Sequence, residues 1–316
     1  MSSAKVTKTR KFEDGSDVDV KIDEISGATT WSIIFRRFRR NQAALVGLGI
    51  LGFFIILAFI SLLDEMLFNY FNVPIFPYGP NDPVSRSFQT PSPKHFFGTD
   101  NVGRDIFVRI IYGARISITV GFIAVFVSLS VGTLIGLLAG YYGSWIDSII
   151  SMGLEMLLAF PAILLALAIL SLMGSSLENA MLAVGIVYIP YYARIVRGQT
   201  FVERELMYVE AAKVLGAKTP RILTKHILPN VFGVLIVYST LGVGTAILEV
   251  AALSFLGLGA QAPTAEWGSM IGDGRKFFAA APHLTFFPGM AILLTVISFN
   301  LVGDGLREAF DPRFKR

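Results

Sequence analysis

Six apolar stretches, each close to the length that a bilayer core demands, constrain this chain more than any other feature. A helix crossing the hydrocarbon needs about 20 predominantly apolar residues. Ala43 to Leu63 is uncharged throughout and forms the first expected span. Ile116 to Ile146 is the second, and Ser148 to Leu177 the third, with Glu155 as its only charge. Asn179 to Ala193 is a shorter fourth that borrows Ile195 and Val196. Val231 to about Gly257 makes a fifth, interrupted by Glu249, and Leu284 to Val302 a sixth. Charged residues are only 16% of the chain and mean hydropathy is +0.62, outside the range of an ordinary soluble domain. The expected fold class is an all-α integral membrane protein with six transmembrane helices.

Six spans put both termini on one side, and basic residues say which. With the termini cytoplasmic, 20 of the 27 Lys and Arg residues fall on that side, and the positive-inside rule favours this orientation. Arg36, Arg37, Arg39 and Arg40 are the strongest anchor. The formal charge of +4 therefore reflects topology and headgroup attraction rather than nucleic-acid binding. Residues 1–41 read as a polar cytoplasmic tail without regular structure and without a cleavable signal peptide. The expected division is this tail, then residues 42–114 as first span and external loop, then residues 115–316 as a five-helix core. Within the external loop, Asp105 to Tyr112 has the pattern of an amphipathic helix lying at the interface. The chain has no cysteine, which excludes disulfides, thiolate metal sites and cysteine nucleophiles.

The loop expected between the fourth and fifth spans, residues 203–230, carries the most specific pattern. It contains YVEAAKVLGAKTPRILTKHILPN from Tyr208 to Asn230. Helix formers run from Glu203 to Leu215, with small residues at Ala211 and Ala212 that let one face approach a partner closely. Gly216 tolerates positive φ and predicts a bend. Thr219 and Pro220 read as an N-cap and a first-turn proline, and Pro229 as the end of the second short helix. A generic helix–Gly–helix connector has the same outline. The spacing of Glu210, Ala211, Ala212 and Gly216, followed after nine residues by His226, Ile227, Leu228 and Pro229, is what such a connector lacks.

That spacing resembles the loop by which permease subunits of ATP-binding-cassette (ABC) importers grip their ATPases, and His226 before Ile-Leu-Pro-Asn is similar to the peptide and nickel branch. FGTDNVGRDIFVRIIYGAR before the core, Trp31 to Leu63, LSFLGLGAQAPTAEWGSMIGDGR from Leu253 and FNLVGDGLREAFDPR from Phe299 extend the likeness over residues 31–316. The chain thus resembles C-type permeases of the dipeptide, oligopeptide and nickel ABC transporter family. The resemblance implies a type I importer fold in a prokaryotic plasma membrane. It also implies a homologous second permease, two ATP-binding subunits that hold ATP and Mg, an external solute-binding protein, and a peptide solute. Glu210, Ala211, Ala212, Gly216, His226, Leu228, Pro229 and Asn230 would be the ATPase-coupling residues. Nickel or another small solute is the alternative cargo, and an ion-coupled secondary transporter the alternative class.

The chain carries no phosphate-cradling GxxxxGK[ST] and no His/Asp/Glu cluster with metal-ligand spacing, so neither a cofactor nor an enzymatic activity is expected of it. Glu155 and Glu249 are candidates for the pathway or its gate, because an acid inside a span is costly and faces protein interior or water; a hydrogen-bonded carboxyl that locks helices together is the other reading. Gly132, Gly136 and Gly140 have the spacing of close helix packing. Pro161 and Pro190 predict kinks. Asp147, at a short turn, suggests no special role.

Overall fold

The structure, a computed structural model, describes residues 8–11, 17–20, 30–71 and 73–310. Within the tail, β1 (Lys8–Lys11) pairs antiparallel with β2 (Asp17–Val20), so this part of the tail is not irregular. Lys11 stands opposite Asp17 in register. Everything from residue 30 onward among the described residues is helix or loop.

A short helix α1 (Thr30–Phe38) precedes α2 (Gln42–Phe71), the first of five helices long and apolar enough to span a bilayer. The others are α3 (Ile106–Tyr142), α6 (Leu177–Arg204), α9 (Leu228–Phe255) and α11 (His283–Phe310). Both ends of the described helical chain meet at one end of the bundle, where the Asn41 side-chain amide donates to Glu308 at 2.6 Å.

The third expected span is not one helix. Its residues form α4 (Ser144–Leu158) and α5 (Ala162–Met173), bent by 91° about a break that contains Pro161. Proline lacks the N–H that would continue the ladder, and it stands at the cap of α5 with φ −55°. Pro190, in contrast, lies buried within the unbroken α6.

The division at residue 115 also shifts. Asp105 caps α3, its carboxylate accepting from the Val108 N–H at 3.1 Å. The helix therefore begins nine residues earlier, and Ile106, Val108, Arg109, Ile110 and Ile111 are buried rather than laid along an interface.

α3 and α6 form the tightest helix pair. A Cβ added to Gly132, Gly136 or Gly140 would stand within 2.5–2.7 Å of Tyr192, Ala193 or Thr200 on α6, so the backbones meet at a distance only glycine permits. A core of Val120, Ala124, Val184, Val187, Val243 and Ile247 joins α3, α6 and α9.

The end opposite the termini is closed by the loop before α3 and by α10 (Trp267–Gly274), capped by the buried Glu266 through the N–H groups of Gly268 and Ser269 at 2.9 and 2.8 Å. Burial pushes the Glu266 carboxyl up from its ordinary range. Arg109, 2% exposed, ties these pieces together, donating to the Pro80 carbonyl at 2.9 Å, the Asn81 side chain at 3.0 Å and the Pro263 carbonyl at 3.3 Å. His95 and Tyr78 both bond Asp105, at 2.7 and 3.0 Å, and pin the loop to the start of α3.

Candidate functional site

Between α6 and α9 the chain leaves the bundle at the terminus-bearing end and forms a small structure of its own. α7 (Met207–Val214) turns Val209 and Ala212 inward, three residues apart on one helical face. They pack in a cluster with Ile222, Leu223, Ile227 and Val231, and with Leu137 and Val196 of α3 and α6. The apolar cluster seats the loop firmly on the spans. Ala212 is thus a packing residue, whereas Glu210 and Ala211 face out.

Gly216 ends α7. Its N–H donates to the Lys213 carbonyl at 2.9 Å, the Ala217 N–H reaches the Ala212 carbonyl at 3.0 Å, and φ of Gly216 is +78°. This pair of bonds is a Schellman cap, which requires a left-handed residue at that position. Gly216 is therefore a fixed stop with its own hydrogen bond, and the bend it was expected to make has a defined geometry.

Pro229 does not end a helix. α8 (Thr219–Ile222) passes into a π turn, Leu223–Ile227, and then directly into α9. The Leu228 N–H reaches back to the Leu223 carbonyl, and this wide turn leads the chain past Pro229, which has no N–H to donate. The cap of α8 is Lys218, one residue before the expected Thr219.

Tyr208 knots the loop. Its hydroxyl meets the Glu203 carboxylate, accepts from the Asn230 side-chain amide at 2.9 Å and lies 3.3 Å from the His226 carbonyl. Burial, with the Glu203 carboxylate second, pushes the phenol up to about 12. The Asn230 amide also donates to the His226 carbonyl at 2.8 Å. His226 thus contributes its backbone to the knot; its ring is half-buried, 6.5 Å from the Tyr208 ring. Leu228 packs against the loop's apolar cluster, and Pro229 is exposed.

α7 and its cap present large apolar side chains outward. Met207, Val214 and Leu215 are 85%, 82% and 86% exposed and flank the Glu210 carboxylate, which has no hydrogen bond or ion pair among the described residues. Three large apolar side chains this bare on one short helix and its cap form an exposed apolar patch beyond the ends of the spans.

The two acids of the spans are placed differently. Glu155 is exposed on α4. Glu249 is half-buried on α9, and the Tyr188 hydroxyl of α6 donates to it at 3.4 Å. No hydrogen bond or ion pair joins the two acids among the described residues. Next to Glu249's partner lies a cavity of about 200 Å³ between α3, α6 and α9, lined by Tyr188, Tyr191, Tyr192 and Tyr238. Asp147, at the start of α4, has a role after all: Arg197 of α6 grips it through two nitrogens, one at 2.7 Å, and holds α4 against α6.

Residues 132–316 match the family described as binding-protein-dependent transport system inner membrane component, and residues 29–91 match the N-terminal TM domain of oligopeptide transport permease C. The chain belongs to this family of transporter permeases. Curated relatives are similar along nearly their whole length. The dipeptide transport system permease protein DppC of Alkalihalophilus pseudofirmus is 49% identical over 93% of each chain. The glutathione transport system permease protein GsiD of Pectobacterium atrosepticum is 44% identical over 93% of this chain and 95% of its own. A solved inward-facing structure of the MetNI methionine ABC transporter aligns with a TM-score of 0.52 at 18% identity, covering 64% of this chain and 96% of that one. The shared architecture is that of an ABC importer permease.

Two features of this permease escaped the reading of its sequence. The knot at Tyr208 joins residues 22 apart and depends on where the π turn brings Asn230. The tyrosine-lined cavity had a partial signal in Tyr188, Tyr191 and Tyr192, whose spacing of three and four places them near one another on α6.

Proposed function

We propose that this permease is one of two membrane subunits of an ATP-driven importer of di- or oligopeptides, and that α7 with its Gly216 cap is seated on a cytoplasmic ATP-binding subunit. The observation that carries the proposal is the outward face of Met207, Glu210, Val214 and Leu215 on a helix whose inward face is locked to α3, α6 and α9. A rigid projection with an apolar outward face and an exposed carboxylate both binds a partner and transmits its motion. Burying one such side chain stabilises a complex by about 1.5–3 kcal/mol.

In this reading ATP and Mg reside on two partner subunits, a homologous permease completes the pathway, and an external binding protein delivers the solute. Both termini lie in the cytoplasm, consistent with the placement of Arg36, Arg37, Arg39 and Arg40 beside the start of α2. Residues 203–230 are the coupling unit, residues 1–41 the cytoplasmic tail, and the remainder spans and outer loop. The relatives named for dipeptide and glutathione transport support a peptide solute over nickel.

Substitution Leu215→Asp tests the docking. The expected result is a normally inserted permease from which the ATP-binding subunit is lost on purification, with peptide uptake reduced at least ten-fold. Normal co-purification and uptake in Leu215→Asp and in Glu210→Lys would overturn the assignment.

A further inference from the structure

The cavity beside Glu249 has a chemical character that packing alone does not explain. Its residues come from the middle stretches of α3, α6 and α9, so it lies at mid-depth in the bundle. Four tyrosines line it, Tyr191 meeting Tyr192 and Tyr238 edge-on at 5.7 and 6.0 Å between ring centres. Tyr192 directs its hydroxyl to the Tyr238 carbonyl at 3.3 Å and is almost fully buried, so the more open rings of the lining are Tyr188, Tyr191 and Tyr238. Tyr188 links the lining to Glu249, and that bond, at 3.4 Å, is long for two oxygens. The other Glu249 oxygen has no hydrogen-bond partner among the described residues. Among the described residues, no Lys, Arg or His lines the cavity.

Glu249 is not itself in the lining but lies just beyond it, bonded to Tyr188 and one turn of α9 past the lining residue Thr245. Aromatic faces with a carboxylate at their edge, without a competing cation, make a site for a cation. Ring quadrupoles attract it, and the carboxylate is the donor-seeking group that an N–H can satisfy. The volume, about 200 Å³, is smaller than the roughly 300–1,000 Å³ of a pocket that holds a whole small-molecule ligand. It admits a head group while the rest of the molecule lies outside it.

We propose that this cavity receives the primary ammonium group of the transported solute, with Glu249 as its counter-charge and Tyr188, Tyr191 and Tyr238 as its walls. The proposal rests on the reading of the chain as a peptide importer, and it assigns the peptide's amino terminus to this subunit's half of the pathway. Glu249 then has no cationic partner among the described residues because the solute supplies it. Tyr188 holds the carboxylate in place between passages.

The natural absence of cysteine makes a direct test available. A single cysteine is introduced by Thr245→Cys, a lining position, in the assembled complex without its external receptor, and its alkylation rate is measured. Glycyl-leucine is expected to slow alkylation at least three-fold, whereas N-acetyl-glycyl-leucine at the same concentration is not. Adding Glu249→Gln is expected to abolish the protection, and Glu249→Asp to restore part of it. Equal protection by both peptides, protection by neither, or protection that survives Glu249→Gln would overturn the ammonium site. Uptake of glycyl-leucine by the unsubstituted complex with its receptor is measured in parallel. Absence of that uptake removes the peptide reading, whereas uptake without ammonium-selective protection removes only the site.

Discussion

The side-chain amide of Asn230 donates both to the Tyr208 hydroxyl at 2.9 Å and to the His226 carbonyl at 2.8 Å, so the first turn of α7 is bound directly to the root of α9. In the proposed coupling, these bonds are the direct link from α7 to α9, the helix that carries Glu249. Tyr208→Phe keeps the ring and removes the hydroxyl. A net hydrogen bond is worth about 1 kcal/mol, or a factor of about five. Uptake should fall about five-fold at unchanged membrane level, and limited proteolysis should cut the loop faster. Unchanged uptake and cleavage would show that the knot transmits nothing.

Gly216 discriminates a fixed cap from a hinge. Its positive φ disfavours any side chain, by about 1–2 kcal/mol for Ala. Proline adds an impossible φ and removes the N–H that bonds Lys213, a cost of about 3 kcal/mol or more. No atom lies within 4 Å of a Cβ built at this position, so the effect is backbone strain rather than collision. Uptake measured in vesicles should decline in the order Gly216, Ala, Pro, with Gly216→Pro inactive. Full activity of Gly216→Pro would mean that the cap geometry is dispensable.

Orientation is checked by single cysteines in this cysteine-free chain. Val73→Cys, 60% exposed in the loop before α3, should react with an impermeant maleimide on intact cells. Glu205→Cys, at the exposed end of α6 and outside the proposed docking face, should react only after permeabilisation, as the distribution of basic residues requires. The reverse pattern would place α7 on the wrong side for a cytoplasmic ATP-binding subunit.

Arg109 holds the outer cap to the bundle. Arg109→Met leaves the carbonyls of Pro80, Pro263 and Thr264 and the Asn81 side chain without their donor. Removing one member of a buried charged network costs about 3–5 kcal/mol. Thermal aggregation of the purified complex should begin at a clearly lower temperature, with loss of protein at the membrane. A variant as stable as the parent would show that the loop is held by its other contacts.

Five of the spans, the existence of a helical loop between α6 and α9 and the end of α7 at Gly216 were legible in the sequence, because each depends on properties of a short stretch: apolar length, or a glycine where a helix must stop. Local chemistry also misled. Pro229 has the look of a terminator, but the π turn of Leu223–Ile227 carries the chain past it into α9. Asp105 to Tyr112 has an amphipathic pattern because one face meets the outer cap and not because it lies on a membrane.

By itself the sequence determined that this chain must be a bundle of membrane-crossing helices with a specific loop at one end, since hydrocarbon admits few alternatives for long apolar segments. Only the tertiary structure decided that α4 and α5 turn by 91°, that Arg197 clasps Asp147, and that four tyrosines line one cavity with Glu249 bonded to one of them. Those outcomes depend on which faces of distant helices meet. The glycines of α3 decide that meeting for α6, yet what they bring together is written far from them in the chain.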